Sequence, residues 1–233
     1  MIRFRIATYN VHKCRGIDWR VNPKRVTEVI RELEADIIAL QEVFAPQAEC
    51  FAERLGMRLA FGSAKQIAGL DYGNAVLSRF PLGKERRHNL TVAGREPRSC
   101  LEVDVQVAVE HSVTFFALHL GTSFFERRKQ ATRLVSGDIL DRHDVKGRRV
   151  LAGDFNEWTR GLATDMLAQQ LESADLRMHL RRGRTYPGIV PFLHLDHIYY
   201  DKEFQLSKLH LLKTPKALIA SDHLPLLADF DWA

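Results

Sequence analysis

One short stretch, an apolar run that ends in a glycine and two polar residues, constrains the fold of this chain most strongly. Residues 150–156 read VLAGDFN. Apolar runs of this length closed by glycine are typical of buried strands, so a buried strand is predicted to carry Asp154 and Asn156 at its end. Residues two apart on an extended chain point the same way. Strand ends often hold catalytic groups, although local turn bonding by Asp and Asn would also explain the two residues.

The composition indicates one globular domain with a sizeable core. Hydrophobic residues make up 45% of the 233 residues and charged residues 27%, which are ordinary globular values. No linker-like or repeated segment divides the chain, so we expect a single domain over residues 1–233. The net charge of +5 and the isoelectric point near 9.2 fit a polyanionic or phosphorylated substrate, or an anionic membrane surface.

Cysteine usage and hydropathy bear on location. Cys14, Cys50 and Cys100 form no CxxC motif, which argues against a disulfide scaffold or a zinc site and favours a reducing compartment. The N-terminus lacks the apolar stretch of a signal peptide, and no segment is long enough to span a membrane. We therefore expect a cytoplasmic protein without stable membrane insertion, and no feature implies a protein partner.

The chain alternates between strand-like and helix-like patterns. Asn22 and Pro23 predict a helix start. Residues 101–107 alternate strictly, which predicts a strand with one solvent-exposed face, paired in a hairpin with a strand over 113–118. Helices are expected over 126–140 and 164–171, and a last strand over 224–230. Two hairpin-built sheets packed face to face, with helices outside, would satisfy this pattern.

Polar residues recur where the apolar strands end, which suggests that they converge on one rim. The set comprises Asn10, Gln41, Glu42, His119, Asp154, Asn156, Asp196, Asp222 and His223. Glu42 and Asp222 are hard oxygen ligands of the kind that suits Mg²⁺ or Mn²⁺ rather than zinc. His223 could act as a general base oriented by Asp196. Asp154 and Asn156 could position a water molecule and a phosphoryl oxygen, and His119 could stabilise negative charge. Together these roles describe the attack of water on phosphorus.

The sequence resembles the endonuclease/exonuclease/phosphatase superfamily, which includes pancreatic deoxyribonuclease, and looks most like its small bacterial members. Seven short motifs occur in that family's order: YN at 9–10, LQE at 40–42, GNAVLSR at 73–79, LHL at 118–120, GDFN at 153–156, LDHI at 195–198 and SDH at 221–223. The resemblance implies a four-layered α/β sandwich, with two mostly antiparallel sheets flanked by helices. His12 is a departure, because abasic-site nucleases carry an acid there.

The resemblance also implies residue roles. It implies a metal held by Glu42 with help from Asn10 and possible help from Asp222, water alignment by Asp154, and phosphate binding by Asn156 and His119. An Asp196–His223 pair would act on the nucleophile, and Asp71 would orient His119.

Further phosphate contacts are expected from Asn10, His223 and Arg98, although Arg98 and Arg95 could simply be solvated. Arg127 and Gln130 would brace a helix against a loop.

These observations predict a Mg²⁺- or Mn²⁺-dependent phosphohydrolase, more specifically a phosphodiesterase. The substrate could be a small molecule, a lipid head group or a nucleic acid. The alternatives are a DNA or RNA nuclease and a catalytically idle binding module on the same scaffold. Specificity would depend on the loops at 11–21, 67–72, 94–98 and 183–191, none of which carries a readable code.

Overall fold

The computed structural model describes residues 1–137, 139–145, 147–157, 161–174, 184–187 and 193–233. Of the predicted specificity loop at 183–191, only residues 184–187 are described. The strands are β1 (Ile2–Asn10), β2 (Ile37–Phe44), β3 (Arg58–Ile67), β4 (Leu70–Ser78), β5 (Leu82–Asn89), β6 (Ser99–Ala108), β7 (His111–His119), β8 (Arg148–Asp154), β9 (Glu172–Ser173), β10 (Asp196–Tyr200), β11 (Phe204–Leu211) and β12 (Leu226–Trp232). The helices are α1 (Pro23–Leu33), α2 (Ala45–Leu55), α3 (Phe124–Val135), α4 (Leu162–Leu167) and α5 (Pro215–Ala220), with a 3₁₀ turn at His12–Cys14.

In the described residues the strands form two six-stranded sheets. The first has the order β11-β12-β1-β2-β4-β3 and the second the order β5-β6-β7-β8-β10-β9. Strands β1 and β2 are parallel, as are β7 and β8, and the other pairs are antiparallel. The predicted sandwich of two mostly antiparallel sheets is therefore confirmed.

Three hydrophobic clusters account for the four layers. The first joins side chains of both sheets, such as Ile6 and Phe115, and lies between the sheets. The second joins the outer face of the first sheet to α1, α2 and α5, and the third joins the outer face of the second sheet to α3 and α4. Each strand alternates its side chains between the two faces, so a buried sheet carries apolar residues on both.

Local signals set several element boundaries. The Asn22 side chain accepts a hydrogen bond from the Arg25 backbone N–H, which confirms the predicted start of α1. The predicted helix over 126–140 ends at Val135, and Gly137 follows with a left-handed φ of 86° that favours glycine. The chain pattern did not indicate β11 or α5, which are short and carry mixed polar and apolar residues.

The expectation of a solvent-exposed face on β6 is wrong for its first half. Glu102 is 2% exposed, because Arg86, His88 and Arg142 cover it and bind its carboxylate. Gln106, later in the strand, is exposed as the alternation predicts. As for membrane contact, no helix among the described residues is long and apolar enough to cross a bilayer.

Candidate active site

Strand direction and side-chain alternation bring the predicted residues to one edge of the gap between the sheets. Asn10, His119 and Asp154 are the last residues of β1, β7 and β8, and each shares the inward parity of its strand's inter-sheet side chains. Asp196 is the first residue of β10, which runs antiparallel to β8, and it lies directly opposite Asp154. His119 is opposite Asp154 on the other side. The register therefore gathers these side chains without any long loop.

Asp154 Oδ2 lies at the centre of the cluster. Asn10 Nδ2 donates to it across 3.0 Å from the other sheet. His119 Nε2 is 3.4 Å away and His223 Nε2 is 3.6 Å away. The second oxygen, Oδ1, accepts a hydrogen bond from the Asn156 backbone N–H at 2.9 Å. Three nitrogen donors from three chain segments thus surround this carboxylate oxygen. Asp154 is only 1% exposed.

The Asp196–His223 pair predicted from the sequence is formed. His223 Nδ1 lies 2.9 Å from Asp196 Oδ2, and both side chains are buried. A carboxylate only accepts, so Nδ1 carries the proton and Nε2 faces Asp154. The ring of Tyr186 stands 4.9 Å from the His223 ring, centroid to centroid, and covers the pair from the described part of the 183–191 loop.

Burial and charge set opposite protonation states for the two histidines. Burial alone would lower the pKa of His223, but Asp196 and Asp154 outweigh it and raise that pKa. Burial lowers the pKa of His119, and the Arg98 guanidinium lowers it further, to about 3. Burial and the nearby Asp196 raise the pKa of Asp154, although His223 opposes them. At neutral pH the site therefore holds a charged His223 and a neutral His119.

Asn156 and His119 form the second half of the site. The Asn156 side-chain nitrogen donates to Leu120 O at 3.0 Å and lies 3.1 Å from His119 Nε2. Asn156 adopts a left-handed φ of 51°, which turns its amide back towards the strand end. This strained conformation is typical of functional loops. Arg127 donates to Gly121 O and holds the loop that follows His119, which is the predicted bracing contact.

Glu42 approaches the same edge because β2 is irregular there. The pairing of β2 with β4 shifts register between Leu40 and Val43, and Glu42 has a left-handed φ of 56°. Such bulges re-aim side chains next to active sites. Glu42 Oε1 lies 3.4 Å from Asn10 Nδ2, and Lys13 Nζ lies 3.9 Å from Glu42 Oε2.

The donor set at Glu42 fits a hard divalent cation. Burial would raise the pKa of Glu42, but the charge of Lys13 and hydrogen bonds from Tyr72 and Asn10 lower it below its ordinary value. The side chain is thus an ionised oxygen donor that keeps 20% exposure. Mg²⁺ is commonly held by one or two carboxylates, with water and substrate oxygens completing its shell. No group of three His, Cys, Asp or Glu side chains in the described ranges is placed to bind a metal on its own.

Asp222 and Asp71 lie outside this cluster. Asp222 Oδ1 is 3.5 Å from His12 Nδ1 and 3.3 Å from Ser221 Oγ, at the edge of the site. Asp71 is exposed and accepts hydrogen bonds from Ser63 and Gln66, so the expected Asp71–His119 pair is not formed. The reason is that Asp71 lies near the tip of the β3–β4 hairpin, where its strand partner is Gln66.

The partner of His119 is instead Arg98, which the sequence suggested as either a phosphate ligand or a solvated side chain. Arg98 Nη1 lies 3.1 Å from His119 Nδ1, and Arg98 Nη2 lies 3.2 Å from Glu96 Oε2. The sequence patterns also did not indicate Tyr72, whose side chain hydrogen-bonds to Glu42. The ring of Tyr72 lies next to the ammonium groups of Lys13 and Lys65. No local pattern marks either contact, because each depends on the register in which two strands pair.

Known proteins resemble this chain in sequence and in fold. The protein YbhP of Escherichia coli K12, described as uncharacterised, is 28% identical over 247 aligned positions, which cover 97% of this chain and 95% of YbhP. A Beutenbergia cavernae endonuclease/exonuclease/phosphatase matches with a TM-score of 0.79 and 24% identity, over 100% of this chain and 72% of that one. The Bacteroides thetaiotaomicron mannosyl-6-phosphatase Bt3783 matches with a TM-score of 0.82 and 17% identity, over 98% and 100%.

The family assignment follows from a match along almost the whole chain. The family model described as "Endonuclease/Exonuclease/phosphatase family" matches residues 7–223, a range that includes Asn10 at one end and His223 at the other. The solved structures share the four-layered fold at these levels of identity. The chain therefore belongs to the endonuclease/exonuclease/phosphatase family.

Proposed function

We propose that this protein is a divalent-metal-dependent phosphoester hydrolase that cleaves a phosphodiester by attack of water on phosphorus. The observation that carries the proposal is the convergence of Asn10, His119 and His223 on one oxygen of Asp154. Nitrogen donors around a buried carboxylate make a site for a water molecule and for the oxygens of a phosphoryl group. Family membership supports the same reaction class.

The side chains divide the work by charge and position. Asp154 accepts a hydrogen bond from the attacking water and holds it in line with phosphorus. His223, held by Asp196 at 2.9 Å, places a positive charge beside the phosphoryl oxygens. Asp154, whose pKa is raised, takes the proton that the attacking water loses, and the protonated His223 supplies the proton that the leaving oxygen gains. Asn156 and His119 present their N–H groups to a phosphoryl oxygen from the other side.

The metal would be held by Glu42, with Asp222 as an outer candidate; Asn10, whose amide nitrogen faces Glu42 Oε1, would position this carboxylate. Glu42 is ionised and partly open, and Mg²⁺ and Mn²⁺ both prefer such oxygen donors. When bound there, the cation would neutralise negative charge that develops on phosphorus oxygens.

All three cysteines are free, which supports a location in the reducing cytoplasm.

Two other phosphoester classes have support. Bt3783 is named as a mannosyl-6-phosphatase, so a monoester substrate is compatible with this fold. Lys13 and Lys65 lie 5.5 and 5.3 Å from the Tyr72 ring centroid beside Glu42, so two cations stand at this rim, and positive charge favours binding of a nucleic-acid backbone. A nuclease would use the same reaction on a polymeric diester. An idle binding module is disfavoured, because the predicted Asp154, His223 and Glu42 are all present at the rim.

One panel of substrates tests the proposal. Purified protein is incubated with bis(4-nitrophenyl) phosphate, 4-nitrophenyl phosphate, plasmid DNA and phosphatidylinositol-containing vesicles, each with Mg²⁺, Mn²⁺ or EDTA. The variant Asp154→Ala is the test of the site. The exposed Asp165, changed in Asp165→Ala, is the matched control.

The expected result is metal-dependent turnover of a diester that Asp154→Ala abolishes and Asp165→Ala retains. Both variants should keep the circular dichroism spectrum of the parent. Preference for plasmid DNA would select the nuclease, and preference for 4-nitrophenyl phosphate would select a monoesterase. Turnover that survives Asp154→Ala, or that EDTA leaves unchanged, would refute the proposed site.

A further inference from the structure

The contact between Arg98 and His119 restricts the chemistry of the histidine. Arg98 Nη1 lies 3.1 Å from His119 Nδ1, and the two side chains are only 10% and 7% exposed. A guanidinium group donates hydrogen bonds and never accepts them. Nδ1 must therefore be the acceptor in this contact, and it carries no proton. A neutral imidazole with a bare Nδ1 has its single proton on Nε2.

The other side of the ring fits this tautomer. His119 Nε2 lies 3.4 Å from Asp154 Oδ2, an acceptor, and 3.1 Å from the Asn156 side-chain nitrogen. That amide nitrogen already donates to Leu120 O. With the tautomer fixed, the Nε2···Nδ2 contact joins two donors and is not a hydrogen bond. Two donor nitrogens thus lie 3.1 Å apart beside Asp154, and an anionic oxygen that bridges them would satisfy both.

We propose that Arg98 is a positioning residue that holds His119 as a neutral imidazole, so that its Nε2–H donates a hydrogen bond to a phosphoryl oxygen and keeps its proton through the reaction. The tautomer stands on geometry alone, whereas the role towards a phosphoryl oxygen rests on the proposed function. Arg98 acts through His119, and its guanidinium is already engaged by His119 and Glu96.

The sign of the partner decides the role of this histidine. A carboxylate beside Nδ1, as Asp71 was expected to be, would accept from Nδ1–H and stabilise the charged imidazolium. Such a histidine could release a proton to a leaving group. A guanidinium in the same place disfavours the imidazolium and excludes a second proton on Nδ1. His119 is therefore suited to hydrogen-bond donation, and the proton-exchanging histidine of the site is His223.

The protonation state can be read directly, without any substrate. Protein with ¹⁵N-labelled histidine is recorded in a long-range ¹H–¹⁵N correlation experiment between pH 5.5 and 8, and the His119 ring is assigned with His119→Gln. We expect a bare Nδ1, a protonated Nε2 and no titration in this range. A doubly protonated ring, or a proton on Nδ1, in the parent protein would overturn the proposal.

Substitution of the arginine separates its effect from general disturbance. Arg98→Met should release His119 into a mixture of tautomers, whereas Arg95→Met, which alters an exposed arginine on the same loop, should leave the spectrum of His119 unchanged. Thermal unfolding confirms that both variants are folded. An unchanged tautomer in folded Arg98→Met protein would refute the positioning role.

The role of His119 as a hydrogen-bond donor in catalysis is tested by kinetics on the phosphoester that the parent protein cleaves. His119→Ala should lower kcat about 10²- to 10³-fold, and His119→Gln should keep at least about tenfold more activity, because a neutral donor suffices. Arg98→Met added to His119→Ala should cost less than about threefold more. Additive losses, or equal losses in Gln and Ala, would overturn this half. If the parent cleaves no phosphoester, the proposed function fails while the spectrum still decides the role of Arg98.

Discussion

Asn10 Nδ2 donates to Asp154 Oδ2 at 3.0 Å, and this hydrogen bond joins the last residue of β1 in one sheet to the last residue of β8 in the other. The same amide nitrogen lies 3.4 Å from Glu42 Oε1. Asn10 thus stands between the carboxylate proposed to hold the metal and the carboxylate proposed to hold the water. One amide nitrogen therefore contacts both carboxylates.

Removal of this amide should damage catalysis more than folding. In Asn10→Ala, Asp154 loses a donor that favours its ionised form, and Glu42 loses its neighbour. We expect kcat to fall about 10²-fold or more, which is a typical loss for one preorganised donor. Steady-state kinetics on the cleaved phosphoester measure this loss. Asn89→Ala, at an exposed strand end, is the control and should retain parental kcat; equal losses in both variants would contradict the role of Asn10.

The Asp196–His223 pair predicts a second kinetic result. Asp196→Asn replaces the acceptor that fixes His223 Nδ1–H, so the ring loses both its orientation and the charge that favours its protonated form. We expect kcat to fall by at least about 10³-fold with little change in KM, because the pair acts on the reacting atoms. Asp165→Asn, on an exposed helix position, controls for the change of acid to amide. A kcat within threefold of the parent would argue that His223 is oriented by other contacts.

Metal binding can be tested apart from turnover. Glu42→Gln keeps the shape of the side chain and removes the charge that suits a hard cation. Isothermal titration with Mn²⁺ should show at least about tenfold weaker binding than the parent. Glu49→Gln, at an exposed position of α2, should bind Mn²⁺ as the parent does. Unchanged affinity in Glu42→Gln would place the cation elsewhere.

The sequence predicted the convergence of the site because strand alternation is a short-range rule. Asn10, His119 and Asp154 end apolar runs with inward parity, and that parity can be read from neighbouring residues. The pairing of Asp196 with His223 was expected both from the residue types and from the family resemblance, and the structure shows it at 2.9 Å. Fold and local placement were therefore accessible from residue pattern and motif order.

The partners of buried charges were not accessible, because they depend on segments far apart in the chain. Arg98 meets His119 because it directly precedes β6, and the β6–β7 register places Cys100 opposite Leu118. Asp71 matched the expected position of an acid but lies on the exposed end of a hairpin. Glu102 stands at a position that the alternation predicts to face solvent. Arg142, forty residues later in the chain, nevertheless covers it and donates to its carboxylate. Periodicity shows which face a residue takes but not what covers that face.

Glu102 gives a prediction for stability as a function of pH. Burial would raise its pKa, but His88 and Arg142 hold it at about 2, below the ordinary value of 4.5. A carboxyl whose pKa is depressed by folding stabilises the native state above the unfolded pKa and loses this contribution as the pH falls through the folded pKa. Glu102→Gln should lower the free energy of unfolding by about 2 kcal/mol at pH 7, with charged partners left unsatisfied.

The difference between parent and Glu102→Gln should therefore shrink as the pH falls from 4.5 towards 2. Urea unfolding at pH 7, 5, 4 and 3 measures it. Glu110→Gln, in the exposed β6–β7 turn, should show no such difference at any of these values. A difference that stays constant down to pH 3 would mean that Glu102 stabilises the fold by packing rather than by its charge.

Gly153 links the strand that carries Asp154 to its neighbour. A Cβ atom at this position would lie 2.0 Å from Leu118 O, a backbone atom of β7 that cannot move without breaking the pairing of His119 and Asp154. Gly153→Ala should therefore destabilise the protein by about 3 kcal/mol and lower activity in the folded fraction, because β8 must shift away from β7 and carry Asp154 away from His119. Gly83→Ala on β5, where the nearest atom is the Asp104 Cβ at 3.3 Å, should cost less than about 1 kcal/mol. Urea unfolding measures the stability of both variants. Equal stability would show that the pairing of β7 with β8 adjusts locally to the added Cβ atom. Gly153 would then not be required to bring Asp154 to the rim.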